Sequence, residues 1–316
     1  MKHKISIVIT TYNRKKLLSR AINSVLSQNY HNIEIVIMDN DSCDGTDEYV
    51  KSLKDKRIVY IKNEYNIGAG KNKRKSLEFI HGDYVSFLDD DDYYVRNDLF
   101  TNIIDAFVNK KANSVVFDSY ICGKTESINI ERKVGFSGLI SGVEYSNKIG
   151  KEYSKPSSTF TTFQKKDNLG YLYDLIELDD AIIFTCALYN DCIYSLGLNY
   201  GIYSCSGIID YYNVSYSFFD INFNGLYYMQ SQDINKNNIF KNWFRIEYIY
   251  IASILGRSMN IKFKDIIMCI IKIIKSKTYS RFSQVIHLLY NYCYVRIKTK
   301  LYLQLKYNQH KKDYFI

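Results

Sequence analysis

Short apolar runs and amphipathic stretches alternate through the first 120 residues. Ile5–Thr10, Ile33–Met38, Arg57–Ile61, Tyr84–Leu88 and Ser114–Phe117 are continuous β-branched or aromatic runs, the pattern of strands buried on both faces. Between them Leu17, Leu18, Ala21, Ile22, Val25 and Leu26 recur at helical spacing, as do Leu99, Ile103, Ile104 and Phe107. Asp44 or Thr46 is placed to cap a helix carrying Tyr49, Val50 and Leu53, and Asn97-Asp98 to cap the one starting near Leu99. This alternation predicts an α/β fold, a mostly parallel sheet flanked by helices.

The alternation stops after Tyr120. Ile121–Gly142 predicts an irregular hairpin, Ser157–Phe163 a strand beside the only proline, Pro156, and Leu178–Tyr189 a helix. From Phe240 onward helical patterns dominate, with breaks near Gly256-Arg257, Ser276-Lys277 and Asn291.

Composition narrows the class. The 316 residues are 47% hydrophobic and 24% charged, enough apolar content for a large core and too much for a disordered chain. Seven cysteines without a C-x-x-C pair argue against a disulfide scaffold and for a reducing compartment. The five histidines are dispersed, none at zinc spacing. Met1-Lys2-His3-Lys4 leads into an apolar run too short for an export signal. The longest uncharged stretch, Cys192 to Ile209, is interrupted by Gly197, Asn199 and Gly201, whereas a membrane span needs about 20 mostly apolar residues. The expectation is a protein kept in the cytoplasm.

The net charge of +9 is unevenly placed. Lys241 to Ile316 holds 15 Lys/Arg and 3 Asp/Glu, a net of +12, which leaves −3 on the first 240 residues.

Candidate chemistry collects at the strand ends. Asp89-Asp90-Asp91-Asp92 follows the Tyr84–Leu88 run. Four adjacent carboxylates repel one another unless a cation neutralises them. Hard ions such as Mg²⁺ or Mn²⁺ take oxygen ligands, commonly one or two protein carboxylates plus substrate phosphates. Taken alone, a solvated acidic turn before a helix explains the run equally well. The first strand runs into Thr10-Thr11-Tyr12-Asn13-Arg14, the second into Asp39 through Thr46, and the third into Asn66-Ile67-Gly68-Ala69-Gly70 and a basic stretch to Lys75. All these ends fall on one edge of a parallel sheet, where open α/β sheets bind ligands. A Gly-containing loop followed by basic residues suits an anion; an exposed basic helix is the plainer account of that segment.

Together, Val8 to Asn13, Asp39 through Thr46, Asn66-x-Gly68 and Gly82 to Asp92 resemble, in order and spacing, the family 2 glycosyltransferases of GT-A fold over roughly the first 110 residues. The resemblance implies transfer of a sugar from a nucleotide-sugar donor to an acceptor hydroxyl, by single displacement with inversion at the anomeric carbon. It implies that Thr11, Tyr12 and Asn13 line the donor site, with Tyr12 stacking on the base and Asp39 accepting a hydrogen bond from it, which favours UDP. Asp91 would bind a Mn²⁺ or Mg²⁺ cofactor, with Asp89 or Asp90 near ribose or sugar, the register of the all-aspartate run being open by one. Where the family has Ala-Arg-Asn, this chain has Asn72-Lys73-Arg74, so Lys73 or Arg74 would meet the diphosphate; only Arg offers a bidentate fork. Glu177-Leu178-Asp179-Asp180 resembles the family's Glu-Asp pair, with Asp180 as general base.

The implied domains are a catalytic one over 1–239, with a nucleotide-sugar half (1–120) and an acceptor half (121–239), and a basic helical region over 240–316. Ile261 to Lys275 and Arg281 to Lys300 interleave aliphatic, tyrosine and basic residues, as helices in a membrane interface do. Basic helices packed on the domain are the alternative, and no recognition motif points to nucleic acid. The expected partners are a UDP-sugar, a lipid-linked saccharide acceptor of surface polysaccharide assembly and an anionic membrane surface, reached from the inner face of the cell membrane. Self-association through the tail is open. A non-catalytic nucleotide-sugar-binding or membrane scaffold is the competing reading. A sugar-phosphate nucleotidyltransferase would want a Gly-rich, Arg-containing loop after the first strand, which Thr10–Lys16 lacks.

Overall fold

The computed structural model describes residues 3–122, 128–145, 162–169, 192–204, 261–275, 281–297 and 300–301. The chain forms two compact units, 1–208 and 209–316. The expected boundary between residues 239 and 240, the helix expected at 178–189 and Asp180 lie outside the described residues.

In the first unit the expected alternation is present. β1 (Ile5–Thr11), α1 (Lys15–Leu26), β2 (Ile33–Asp39), α2 (Thr46–Ser52), β3 (Ile58–Lys62), α3 (Ala69–Ser76), β4 (Tyr84–Asp89), the two-residue β5 (Tyr93–Tyr94), α4 (Leu99–Val108) and β6 (Ser114–Cys122) follow in order. β7 (Ile128–Arg132), β8 (Gly138–Ile140), β9 (Thr162–Lys165) and β10 (Ile193–Ser204) complete one sheet of order β3-β2-β1-β4-β9-β6-β10-β5, with β7 beside β6 and β8 beside β10.

β3, β2, β1 and β4 are parallel neighbours, as are β6 and β10. Antiparallel β9 fits between β4 and β6, and β5, β7 and β8 also pair antiparallel. Ile5, Ile7 and Ile9 of β1 join Ile33, Ile35 and Ile37 of β2 in a core closed by Leu18, Ala21, Ile22 and Val25 of α1 and by α4. The other face of β1 and β2, including Val8, Val36 and Met38, is buried too. This two-sided burial explains the unbroken apolar runs. Each fully buried Leu or Ile here contributes about 1.5–3 kcal/mol relative to exposure.

One local expectation is corrected, and a second holds in position though not in bonding. Neither Asp44 nor Thr46 caps α2: the N-cap is Gly45 in the left-handed region (φ 82°). Asp44 instead accepts bonds from the Lys15 N–H and the Thr46 hydroxyl. Asp98 is the N-cap of α4 without a capping side-chain bond. Its carboxylate is taken by Arg96, while Gln28 Oε1 accepts the Phe100 N–H at 3.4 Å.

The strand expected at 157–163 is described only at its end, where β9 begins. No strand is expected at β10 from the sequence, because its glycines and bulges obscure any alternation. It is held by long parallel pairing with β6, with register shifts around Asn199.

In the second unit, α5 (Phe263–Lys275) buries Ile266, Cys269 and Ile273. α6 (Arg281–Tyr290) continues at Asn291 into a π-helical turn, Asn291–Val295, so the helical path does not end there. Arg296 donates to the Ile261 carbonyl at 2.6 Å and its guanidinium lies 4.9 Å from the Tyr292 ring centre. No helix among the described residues is long and apolar enough to cross a membrane.

Candidate active site

Parallel register builds the site. Thr11 pairs with Asp39 across β1 and β2, Asp39 with Lys62 across β2 and β3, and Thr10 with Asp89 across β1 and β4. Residues up to 79 positions apart thereby share one edge of the sheet.

β4 ends at Asp89 and a turn follows, closed by the Asp92 N–H donating to the Asp89 carbonyl at 3.0 Å. Asp90, Asp91 and Asp92 are buried and Asp89 is half-buried. Three cations answer them. Arg14 Nη1 lies 3.1 Å from Asp90 Oδ1 and 3.4 Å from Asp91 Oδ2. Lys73 Nζ, its side chain only 3% exposed, lies 2.8 Å from Asp89 Oδ1. Arg20 Nη2 donates to the Asp91 carbonyl at 2.7 Å, and its guanidinium sits 4.2 Å over the Tyr93 ring. The acidic run is thus no solvated turn. Burial pushes the Asp90 carboxyl up to about 6 against the opposing pull of Arg14 and the Thr11 hydroxyl, and neighbouring Asp91 and Asp89 add to the rise.

Lys73 and Arg74 separate clearly. α3 opens at Gly68, whose backbone (φ 85°, ψ 156°) is accessible essentially only to glycine. The helix then turns Asn72, Lys73 and Ser76 inward and leaves Arg74 exposed. An asparagine network fixes this entry. Asn40 Oδ1 accepts the Ile67 N–H, and Asn40 Nδ2 donates to Asn66. Asn63 Nδ2 donates to Asn40 and Asn72, and Asn72 Nδ2 donates to the Met38 carbonyl.

The first-strand residues take different positions. The Thr11 hydroxyl donates to Asp90 Oδ2 at 2.8 Å and is buried against the acidic turn. Tyr12, directly after the end of β1, is 46% exposed. Asn13 (φ 53°) clamps the loop after β2: its N–H donates to Ser42 Oγ, and its Oδ1 accepts the Cys43 N–H. Asp39 is fully buried and accepts from the Ser42 N–H and the Tyr60 hydroxyl. An ionised carboxylate has about four acceptor positions, so two remain.

Sequence reasoning passed over Arg14, Arg20, Tyr60 and the Asn40–Asn63–Asn72 network. The signal for Arg14 was its place directly after Thr11-Tyr12-Asn13. Arg20 and Tyr60 carry no local signal.

Among the described residues no group of three or more His, Cys, Asp or Glu is arranged to hold a metal ion by itself. Asp91 supplies the carboxylate oxygen that a hard dication takes together with a ligand's phosphates, so its chemistry fits such an ion.

An open α/β sheet with carboxylates and cations gathered at the carboxyl ends of its strands has the architecture of nucleotide-binding α/β proteins. The family model described as "Glycosyl transferase family 2" matches residues 6–170, more than half of the chain, and the chain belongs to that family. Over 175 residues it is 34% identical to a GalNAc(5)-diNAcBac-PP-undecaprenol beta-1,3-glucosyltransferase of Campylobacter jejuni, covering 52% of this chain and 53% of the relative. The chain spans about half or less of the length of the curated relatives it matches. In fold it is similar to S. aureus TarS 1-349 in complex with UDP-GlcNAc (TM-score 0.60, 18% identity, 95% of this chain and 92% of the other). It is also similar to the mannosyltransferase PcManGT from Pyrobaculum calidifontis in complex with GDP-Man and Mn²⁺ (TM-score 0.51, 13% identity, 95% and 84%). The fold is that of GT-A glycosyltransferases, a large central sheet flanked by helices.

Proposed function

We propose that the chain is an inverting glycosyltransferase that moves a sugar from a UDP-sugar to a hydroxyl of a lipid-linked saccharide in surface polysaccharide assembly. The observation that carries this reading is the convergence of Asp39, Lys73, Arg14 and the Asp89–Asp92 turn at one sheet edge. The undecaprenol-linked acceptor in the relative's name and the UDP-GlcNAc held by the TarS structure support the acceptor and donor classes.

Tyr12 stacks on the base and Asp39 accepts a base N–H. Lys73 meets the diphosphate, with Arg74 in the more exposed alternative position. Thr11 and Asn13 hold the donor pocket's walls, and Asp89 and Asp90 face ribose or sugar. Asp180 accepts the proton of the acceptor hydroxyl as that oxygen bonds to the anomeric carbon and the bond to the diphosphate breaks. A Mn²⁺ or Mg²⁺ ion at Asp91, when bound, supplies positive charge to the departing diphosphate. Residues 1–120 form the donor half, 121–239 the acceptor half, and the basic region from 240 brings the protein to the inner membrane face.

A panel of UDP-, GDP- and dTDP-sugars, with and without Mn²⁺, tests the donor class; turnover of UDP-sugars is expected to exceed the others. Asp180→Asn is expected to lower kcat by about 10²–10⁴-fold with UDP binding retained. Wild-type UDP binding without turnover of any acceptor would favour a binding scaffold instead.

A further inference from the structure

α5 has a second apolar face. Its buried face carries Ile266, Cys269 and Ile273. Phe263, Ile267, Ile271 and Ile274 recur at spacings of four, four and three, which puts them on one stripe along the helix. That stripe is exposed: Phe263 is 60% and Ile274 59% accessible. Exposed Lys264 and Lys275 project along one side of the stripe, with half-buried Lys272 beyond them.

The next helix repeats the arrangement. Leu288 and Gln284 are buried, while Ile286, Tyr290, Tyr294, Ile297 and Leu301 are exposed at spacings of four, four, three and four. Across the π-helical turn Tyr290 and Tyr294 stack with ring centres 5.1 Å apart. Phe263 lies 6.2 Å from the Tyr292 ring, tying the end of one stripe to the second helix. Burying one face of each helix satisfies the packing, so the packing does not account for the exposed stripes. Two such stripes on consecutive helices exceed the scattered apolar exposure normal for a soluble surface.

We infer that these two stripes are a docking face for an anionic lipid surface, on which α5 and α6 lie flat. This rests on the acceptor reading above and adds the face and the residues. Charge selects the occupant. The region from residue 241 carries +12, and the lysines bordering the stripe are all of one sign. Two copies meeting face to face would bring like charges together, whereas anionic headgroups complement them. Tyrosines with an apolar ring and polar tip suit the headgroup boundary, and no helix among the described residues is long and apolar enough to span.

The test uses the full chain and vesicles of phosphatidylglycerol with phosphatidylethanolamine, against vesicles of phosphatidylcholine. Wild type is expected to sediment with the anionic vesicles and to be released by added salt. Ile267→Ser with Ile271→Ser is expected to weaken that binding at least tenfold. Lys264→Gln with Lys275→Gln is expected to erase the preference for anionic over neutral vesicles. UDP binding and melting temperature should be unchanged in both variants; if the first pair misfolds, Ile297→Ser with Leu301→Ser on the second stripe gives the same readout. Unchanged vesicle binding in both apolar pairs overturns the inference. So does a wild-type dimer that these pairs dissociate while no vesicle is bound. Vesicle binding without UDP binding would keep the docking face and overturn the donor reading.

Discussion

The strands β1, β2 and β4 carry buried carboxylates at both ends, and the two ends are solved differently. At the amino end Glu34 stands alone among donors. Lys4 Nζ and Ser6 Oγ each donate to it at 2.6 Å, and the His81 and Gly82 N–H groups also point at it. Burial would raise its pKa, but the Lys4, Ser6 and His81 bonds outweigh that and hold it below the ordinary value. Gly82 makes the approach possible, since a Cβ there would lie 2.7 Å from the Ser6 nitrogen and 2.8 Å from the Lys4 carbonyl. At the carboxyl end Arg14 reaches Asp90 and Asp91, Lys73 reaches Asp89, Arg20 donates to the Asp91 carbonyl, and Asp90 is pushed up to about 6. A carboxylate supplied with enough donors closes a structural joint. Four adjacent carboxylates at a strand end are costly to hold together, and opposing cations offset part of that cost.

The contrast can be broken at either end. Glu34→Gln is expected to cost about 2 kcal/mol of stability at pH 7, read from denaturant unfolding, with donor KM unmoved. Glu34 has a folded pKa below its unfolded one, so its contribution is complete above the ordinary carboxylate range and is lost as pH falls through the folded value. The gap between wild type and variant should therefore narrow below about pH 4. A gap constant from pH 7 to acid would mean that the charge of Glu34 is irrelevant. Lys73→Met is the counterpart at the other end: donor KM should rise about tenfold, or 1.4 kcal/mol, with a small change in stability. If stability falls and KM does not, Lys73 is a structural cation like Lys4. Arg74→Ala should change KM by less than about threefold, because an exposed side chain interacts through water and salt. A larger loss in Arg74→Ala than in Lys73→Met would reverse their assigned positions.

Much of this was legible in the chain. The five apolar runs are strands β1 to β4 and β6, and the periodic stretches after β1 and before β6 are α1 and α4. Two-sided burial writes a continuous apolar run, and one-sided burial writes a period of 3.6, so local sequence suffices. The positions Thr11, Asp39, Lys73 and Asp89 to Asp91 were legible as strand ends and a helix start; their roles remain proposals. β10 was not legible, because Gly197 and Gly201 break its alternation and its stability comes from pairing with β6, some 80 residues earlier. The α2 cap was not legible, because Asp44 is held by the Lys15 N–H from a segment 29 residues earlier, whereas Asp98 takes the expected N-cap position of α4 with its carboxylate turned to Arg96.

The sequence by itself determined the α/β class, the strand ends and the concentration of acid at one place and base at another. Those follow from spacing, which acts over a few residues. Only the tertiary structure decided that Arg14 faces Asp90 and Asp91, that Lys73 and not Arg74 turns inward, and that Glu34 is held below its ordinary pKa while Asp90 is pushed above its own. These depend on parallel register between segments tens of residues apart. Register is set by packing the whole sheet, and no local pattern encodes it.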